Sequence, residues 1–297
     1  MVNIYEDYQY FLKFEKALSK NSVLAYRRDL NKLMQFLEFK GIKLPDAGQA
    51  DLLGFVTHLA QSGVKPRTQA RMISGMKSFY HFMIYKSLRE DDPTALIEGP
   101  KTGLILPDVL SEGEIERIMQ CIDLSKPEGQ RNKTMLEVLY GSGVRVSELT
   151  GIKISDLNLD EGYMKVEGKG SKQRLVPLSD PSVQMIHLWM IDRHLLDVKK
   201  GQEDFLFLNR RGHQLTRAMV FHIIKTLTEL AGIQKKISPH TFRHSFATHL
   251  LAHGANLRAI QQLLGHESIT TTEIYTHMDL HFLKETLITC HPFFKKR

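Results

Sequence analysis

Apolar residues return every three to four positions through the first hundred residues, and that spacing predicts helices. Tyr8, Phe11, Leu12 and Phe14 mark a short first one. Asn21 or Ser22 can cap the next, along which Tyr26, Leu30, Leu33, Met34 and Leu37 keep the helical period as far as Gly41. Its other face carries Arg27, Arg28 and Lys32. Residues 47–61 form another amphipathic segment through Leu52, Leu53, Val56 and Leu59. The clearest stripe follows Pro66: Met72, Ile73, Met76, Phe79, Tyr80 and Met83, with Lys65, Arg67, Arg71 and Lys77 around it. Pro93, Gly99, Pro100, Gly103 and Pro107 then interrupt the periodicity. The expected organisation is a helical domain over residues 1–98, a linker over 99–107 and a second domain over 108–297.

Helical spacing resumes at Ser111, a cap followed three residues later by Glu114, with Ile115, Ile118 and Met119 facing inward. Met135, Leu136, Val138 and Leu139 belong to a largely buried helix that Gly141 and Gly143 bring to an end. Between Ile152 and Leu178 the period changes to two. Met164 and Val166 alternate with Tyr163, Lys165 and Glu167, and turn signals stand at Asp160-Glu161-Gly162 and Gly168-Lys169-Gly170-Ser171. This predicts three short antiparallel strands with Lys169 at a hairpin tip. Helices return at about 181–198 and from Thr216 to about Gly232. Ser238-Pro239 starts another: a hydroxyl cap, then a proline whose missing N–H is harmless in the first turn. Phe242, Phe246 and Leu250 form its apolar seam, and Gly254 stops it. Asn256 caps the following helix, with Ile260, Leu263 and Leu264 inside and Gly265 as terminator. His266 then falls in a tight turn before a short helix, capped at Ser268, that carries Tyr275. The fold class is therefore mainly α with a small antiparallel β-sheet in the second domain.

Composition narrows the functional classes. A formal charge of +7 over 297 residues suits a polyanionic partner such as nucleic acid. Cys121 and Cys290 are too few for a disulfide framework, which points to a reducing, cytoplasmic setting. No apolar run reaches the roughly 18 residues of a membrane span, so no membrane insertion is expected. The basic residues of the first domain read either as a solvated face or as a row of phosphate contacts, the latter requiring two basic helices held together.

Two cofactor readings fail on spacing. Gly168-Lys169-Gly170 is not a phosphate loop: five residues separate Gly162 from Gly168 where four are needed, and Gly170 stands where Ser or Thr should be. Gly141-Ser142-Gly143 lacks the third glycine of a dinucleotide loop. His240, His244, His249, His253 and His266 cluster in sequence, but no glutamate completes a zincin-type motif and Arg243 would repel a dication. The expectation is that the chain uses no cofactor.

What remains is a set of separated residues: Arg145 in GVRVSEL, Lys169 in a GKG hairpin, His240-Thr241-Phe242-Arg243, Leu264-Gly265-His266 and Tyr275-Thr276-His277. In order and spacing this set resembles the signature of the tyrosine recombinases, the phage integrase family, and most of all its Xer subgroup. The resemblance spans nearly the whole chain. It implies a two-domain, C-shaped clamp on double-stranded DNA whose catalytic residues are Arg145, Lys169, His240, Arg243, His266 and the nucleophile Tyr275. Arg27, Arg28, Lys65, Arg67, Arg71 and Lys77 become candidates for DNA-backbone contact. Glu148 would support the helix of Arg145 or a histidine partner, unless it is a structural salt bridge.

The residue types suit the implied reaction, which passes through a 3′-phosphotyrosyl intermediate. A free tyrosine hydroxyl is ionised only about one part in a thousand at neutral pH, so either a base, for which His240 is the candidate, must take its proton or the phosphate site must depress its pKa. Forked guanidinium groups match the oxygens of a phosphorane. The family also implies a homo- or hetero-tetramer on two DNA sites, with a sister recombinase and an FtsK-type translocase as partners, and resolution of chromosome dimers as the role. In that assembly the tail helix Phe282–Ile288 docks in a neighbouring subunit; otherwise it folds back on its own domain. The competing functions are an integrase or transposase of a mobile element and a catalytically silent DNA-binding protein.

Overall fold

In a computed structural model the chain divides into two units, Met1–Ile105 and Leu106–Arg297. The structure describes residues 4–100, 108–168, 172–265 and 277–295.

The first unit is helical. It contains α1 (Ile4–Tyr10), which runs into a π-helical turn at Phe11–Glu15, then α2 (Lys20–Glu38), α3 (Gln49–Gln61) and α4 (Pro66–Tyr85). Ser19 caps α2, its hydroxyl accepting from the Ser22 N–H, rather than Asn21 or Ser22 themselves. The Ser-Lys-Asn-Ser stretch offers several side-chain acceptors, and the extended backbone at Ser19 decides among them. The stripe of α4 is buried throughout, with Phe79 and Tyr80 at the centre of an aromatic group that includes Tyr8, Phe11 and Phe82. On α3 the inward residues are Leu52, Phe55 and Leu59, whereas Leu53 is exposed, as is Phe14 near the start of the chain. Helical spacing through 52, 55 and 59 sets the buried face, and Leu53 falls beside it.

The second unit holds the larger core. Its helices are α5 (Glu112–Gln120), α6 (Gly129–Ser142) and α7 (Val146–Thr150), followed by β1 (Leu157–Asn158), β2 (Tyr163–Glu167) and β3 (Gln173–Pro177). The three strands form one antiparallel sheet in sequence order, Met164 facing Val176 and Lys165 facing Leu175. Then come α8 (Asp180–His194), α9 (Arg217–Leu230), α10 (Pro239–Ala252), α11 (Leu257–Leu264), α12 (His277–Cys290) and α13 (Pro292–Lys295). Ser111, Thr216, Ser238 and Asn256 cap α5, α9, α10 and α11 as the sequence predicts. Trp189, Tyr140, Phe207, Phe242 and Phe246 are fully buried at the centre. No helix of the described residues is long and apolar enough to cross a membrane.

The tail packs on its own unit. Leu283, Leu287, Cys290 and Phe293 join the core of their own unit, and His291 stacks among Tyr140, Phe246 and Phe293. Phe282 and Ile288, which share the apolar turn of the tail with Leu283 and Leu287, are exposed. The spacing 283, 287, 290 follows a helix face and closes against α10 and β3, which makes the fold-back arrangement the observed one.

Candidate active site

Three elements bring arginines together at one end of α11. The first arginine, Arg145, follows the end of α6. Gly143 closes that helix in the left-handed conformation at φ 60°, and Arg145 then stands as the cap residue of α7. Its backbone N–H donates to Glu148 Oε2 at 2.8 Å and its Nη1 to Glu148 Oε1 at 2.9 Å. Its Nη2 donates to the Gly265 carbonyl at 3.1 Å. The side chain stays 34% exposed, so it is held by three bonds while still able to face a ligand.

Arg243 comes from α10, where Ser238 and Pro239 set the first turn and Phe242 and Phe246 anchor the opposite face in the core. Its Nη1 donates to the Gly143 carbonyl and its Nη2 to the Leu264 carbonyl, both at 2.6 Å. Burial, and then the positive charge of Arg145, push its pKa down to about 10. It remains charged at neutral pH, but as one of two neighbouring cations that an anion would relieve. His240, one turn earlier on the same helix, is exposed.

The third arginine was not legible as a site residue. Arg174 on β3 has a side chain only 7% exposed, and it meets Glu148 as a fork: Nη1 to Oε1 at 2.7 Å and Nη2 to Oε2 at 2.9 Å. Its Nε donates to the Leu263 carbonyl at 3.4 Å. Among the described residues, Glu148 has Arg174 and Arg145 as its partners. Burial opposes its ionisation, but hydrogen bonds and charge from Arg174, then those from Arg145, prevail and hold the carboxyl at about 2. The signal for Arg174 was parity: it shares the buried side of β3 with Val176, where a charge needs a partner.

That depressed pKa links the site to stability. The ionised carboxylate favours the folded state at any pH above its unfolded value near 4.5, and this contribution fades as pH falls toward 2. At neutral pH it is worth on the order of 3 kcal/mol. In urea titrations, the gap in stability between the wild type and Glu148→Gln is expected to be constant above about pH 5 and to shrink steadily below it.

Of the residues expected at the site, the structure brings Arg145, Arg243 and Glu148 together, and His240 is exposed three residues before Arg243 on α10. Lys169, His266 and Tyr275 lie outside the described residues; Gly168 and Gly265, their immediate neighbours, both stand against the Arg174–Glu148 pair. In the first unit, Arg27, Arg28, Lys65 and Arg67 are exposed on α2 and at the start of α4, with Lys77 partly so. Arg71 is paired with the buried Asp29 of α2, which ties α2 to α4. These two basic helices are thus fastened side by side, although one of the candidate phosphate contacts is partly used in the fastening.

Residues 108–281 match the phage integrase family, and residues 5–87 match the phage integrase N-terminal SAM-like domain. The chain is 42% identical to tyrosine recombinase XerD of Oceanobacillus iheyensis, with 97% of each chain covered. It is 41% identical to tyrosine recombinase XerD of Pseudomonas putida, covering 95% of this chain and 94% of that one. Among solved structures, the Tn1549 transposon integrase in complex with transposon right-end DNA superposes with a TM-score of 0.75 at 19% identity, over 96% of this chain and 99% of that one.

Proposed function

Because this chain belongs to the phage integrase family, the tyrosine recombinases, we propose that its arginine cluster receives the scissile phosphate of a DNA recombination site and that Tyr275 cuts there. The observation that carries this reading is the junction of Arg145 and Arg243, which come from helices about a hundred residues apart and bond to adjacent carbonyls at the end of α11. The next residue of the chain is His266, and Tyr275 follows.

The Tyr275 oxygen attacks phosphorus, the bond to the 5′-oxygen breaks, and a 3′-phosphotyrosyl link forms. His240 takes the tyrosine proton. Lys169, next to Gly168, protonates the departing 5′-oxygen. His266 donates to a non-bridging oxygen. Arg145 and Arg243 neutralise the charge that grows on the phosphorane, the task that preorganised donors perform best. One phosphodiester replaces another, so the exchange requires no ATP, and the two guanidinium groups provide the charge that a metal would otherwise supply. Attack by the 5′-hydroxyl of a second duplex completes strand exchange.

Arg27, Arg28, Lys65, Arg67 and Lys77, with Arg71 in part, hold the DNA backbone. They set position and salt dependence rather than sequence preference. Recombination needs four protomers assembled on two sites, as a homo-tetramer or with a sister recombinase. The role is resolution of chromosome dimers in the cytoplasm, coordinated by an FtsK-type translocase.

A nicked duplex tests the chemistry. Its site is enriched from random-sequence DNA by binding to this chain, and the nick lets the short fragment that bears the free 5′-hydroxyl diffuse away. A protein–DNA adduct stable to denaturing electrophoresis is expected, with the linked peptide mapping to Tyr275. Absence of any adduct, or linkage through another residue, overturns the assignment.

A further inference from the structure

Arg174 stands where three parts of the site meet. Its guanidinium grips both oxygens of Glu148. The same two oxygens accept the backbone and side-chain N–H groups of Arg145. Four donors saturate a carboxylate, so neither arginine has an alternative place on it. Arg174 also donates to the Leu263 carbonyl in the last turn of α11. Gly265, one residue beyond α11, has φ 61°, and a Cβ there would come within 3.0 Å of the Arg174 side chain. At the other side, a Cβ on Gly168 would stand 3.5 Å from Glu148 Oε1 and 3.8 Å from Arg174 Nη1. Gly168 donates its N–H to the Lys172 carbonyl at 2.8 Å, closing the base of the loop that carries Lys169.

We propose that Arg174 is a positioning residue of the reaction: through Glu148 and the end of α11 it sets the orientation of Arg145 and the two backbone points from which Lys169 and His266 depart. The proposal rests on the recombinase reading of Arg145, Lys169 and His266. Two physical features favour this over a structural ion pair. First, the charge does not balance: one carboxylate serves two guanidinium groups, and the surplus positive charge lies at Arg145, the more exposed of the two. A pair kept for stability alone would gain nothing from a third, uncompensated charge. Second, the geometry demands a fork. Lysine could supply the charge but not two parallel bonds together with a third to the α11 carbonyl.

The test compares wild type, Arg174→Gln and Arg174→Lys on the selected nicked duplex, at a temperature where thermal melts show each variant folded. DNA affinity is expected to stay within about twofold of wild type. The single-turnover cleavage rate is expected to fall on the order of 10²-fold in Arg174→Gln, the cost of misplacing reacting groups by about an ångström. Arg174→Lys is expected to recover part of that loss. In Arg174→Gln the buried Glu148 loses its fork and titrates at higher pH, so the acid side of the cleavage profile gains a second ionisation and becomes steeper than in the wild type. Should Arg174→Gln fail to fold, the lysine variant supplies the affinity, rate and pH comparison. Cleavage within about threefold of wild type in the folded variant, or parallel loss of binding and cleavage with an unchanged pH profile, overturns the proposal. A wild type that forms no adduct at all would instead sink the recombinase reading.

Discussion

An Arg243→Ala chain is expected to cleave its DNA on the order of 10³-fold more slowly than the wild type while still binding it. Each terminal nitrogen of Arg243 holds one carbonyl, Gly143 before the Arg145 turn and Leu264 at the end of α11. The residue therefore both presents charge and bridges the elements that present Arg145 and His266. Arg145 already lowers the pKa of Arg243 through like-charge repulsion, and that cost is recovered only when an anion lies between them. The phosphorane is more negative than the bound phosphodiester, so the missing guanidinium is felt more in the rate than in affinity. Arg243→Lys restores a cation but cannot reach both carbonyls and a phosphate oxygen, and it is expected to remain at least about 10²-fold impaired. Single-turnover cleavage and equilibrium binding on the same duplex measure the two quantities separately. A loss of less than about tenfold would remove Arg243 from direct contact with the reacting phosphate.

Gly143→Ala is expected to destabilise the second unit strongly. The left-handed backbone at φ 60° costs an alanine about 1 kcal/mol or more. The added carbon would stand 2.4 Å from the Phe246 ring, which is fully buried and cannot swing away. Overpacking of that kind costs roughly 1–3 kcal/mol. Together these predict a melting temperature lower by on the order of 10 °C for a unit of this size, read by calorimetry. The same displacement moves Phe246 along α10, and with it the carbonyl contact of Arg243, so cleavage measured below the transition should fall as well.

Where local chemistry decides, the sequence was readable. Ser238-Pro239, the seam of Phe242, Phe246 and Leu250, and Gly265 after Leu264 specify α10 and α11 with no help from the rest of the chain. The alternation of Met164 and Val166 likewise gives β2 and the antiparallel sheet. Competition between equivalent local signals was not readable. Ser19, Asn21 and Ser22 can each cap a helix, and Leu53 and Phe55 both sit within reach of the face of α3. Non-local pairing was hidden for a different reason. Nothing near Arg174 in sequence announces Glu148, twenty-six residues earlier, and nothing near Arg71 announces Asp29. At the site, the arginines flanking α11 were visible as residue types, but the fact that they meet on consecutive carbonyls belongs to the fold. In the tail, Phe282, Leu283, Leu287 and Ile288 all read as apolar, and the fold selects Leu283, Leu287 and Cys290 as the face turned to its own core.

That buried face has a consequence for biosynthesis. The apolar cluster of the first unit is complete by Ile97, whereas that of the second reaches to Phe293, 196 residues later. At translation rates of about 5–20 residues per second, the first unit has roughly 10–40 seconds to fold on the ribosome before the last side chains of the second are even made. Ribosomes stalled late in the message should therefore display a protease-resistant N-terminal unit beside a second unit that is still digestible.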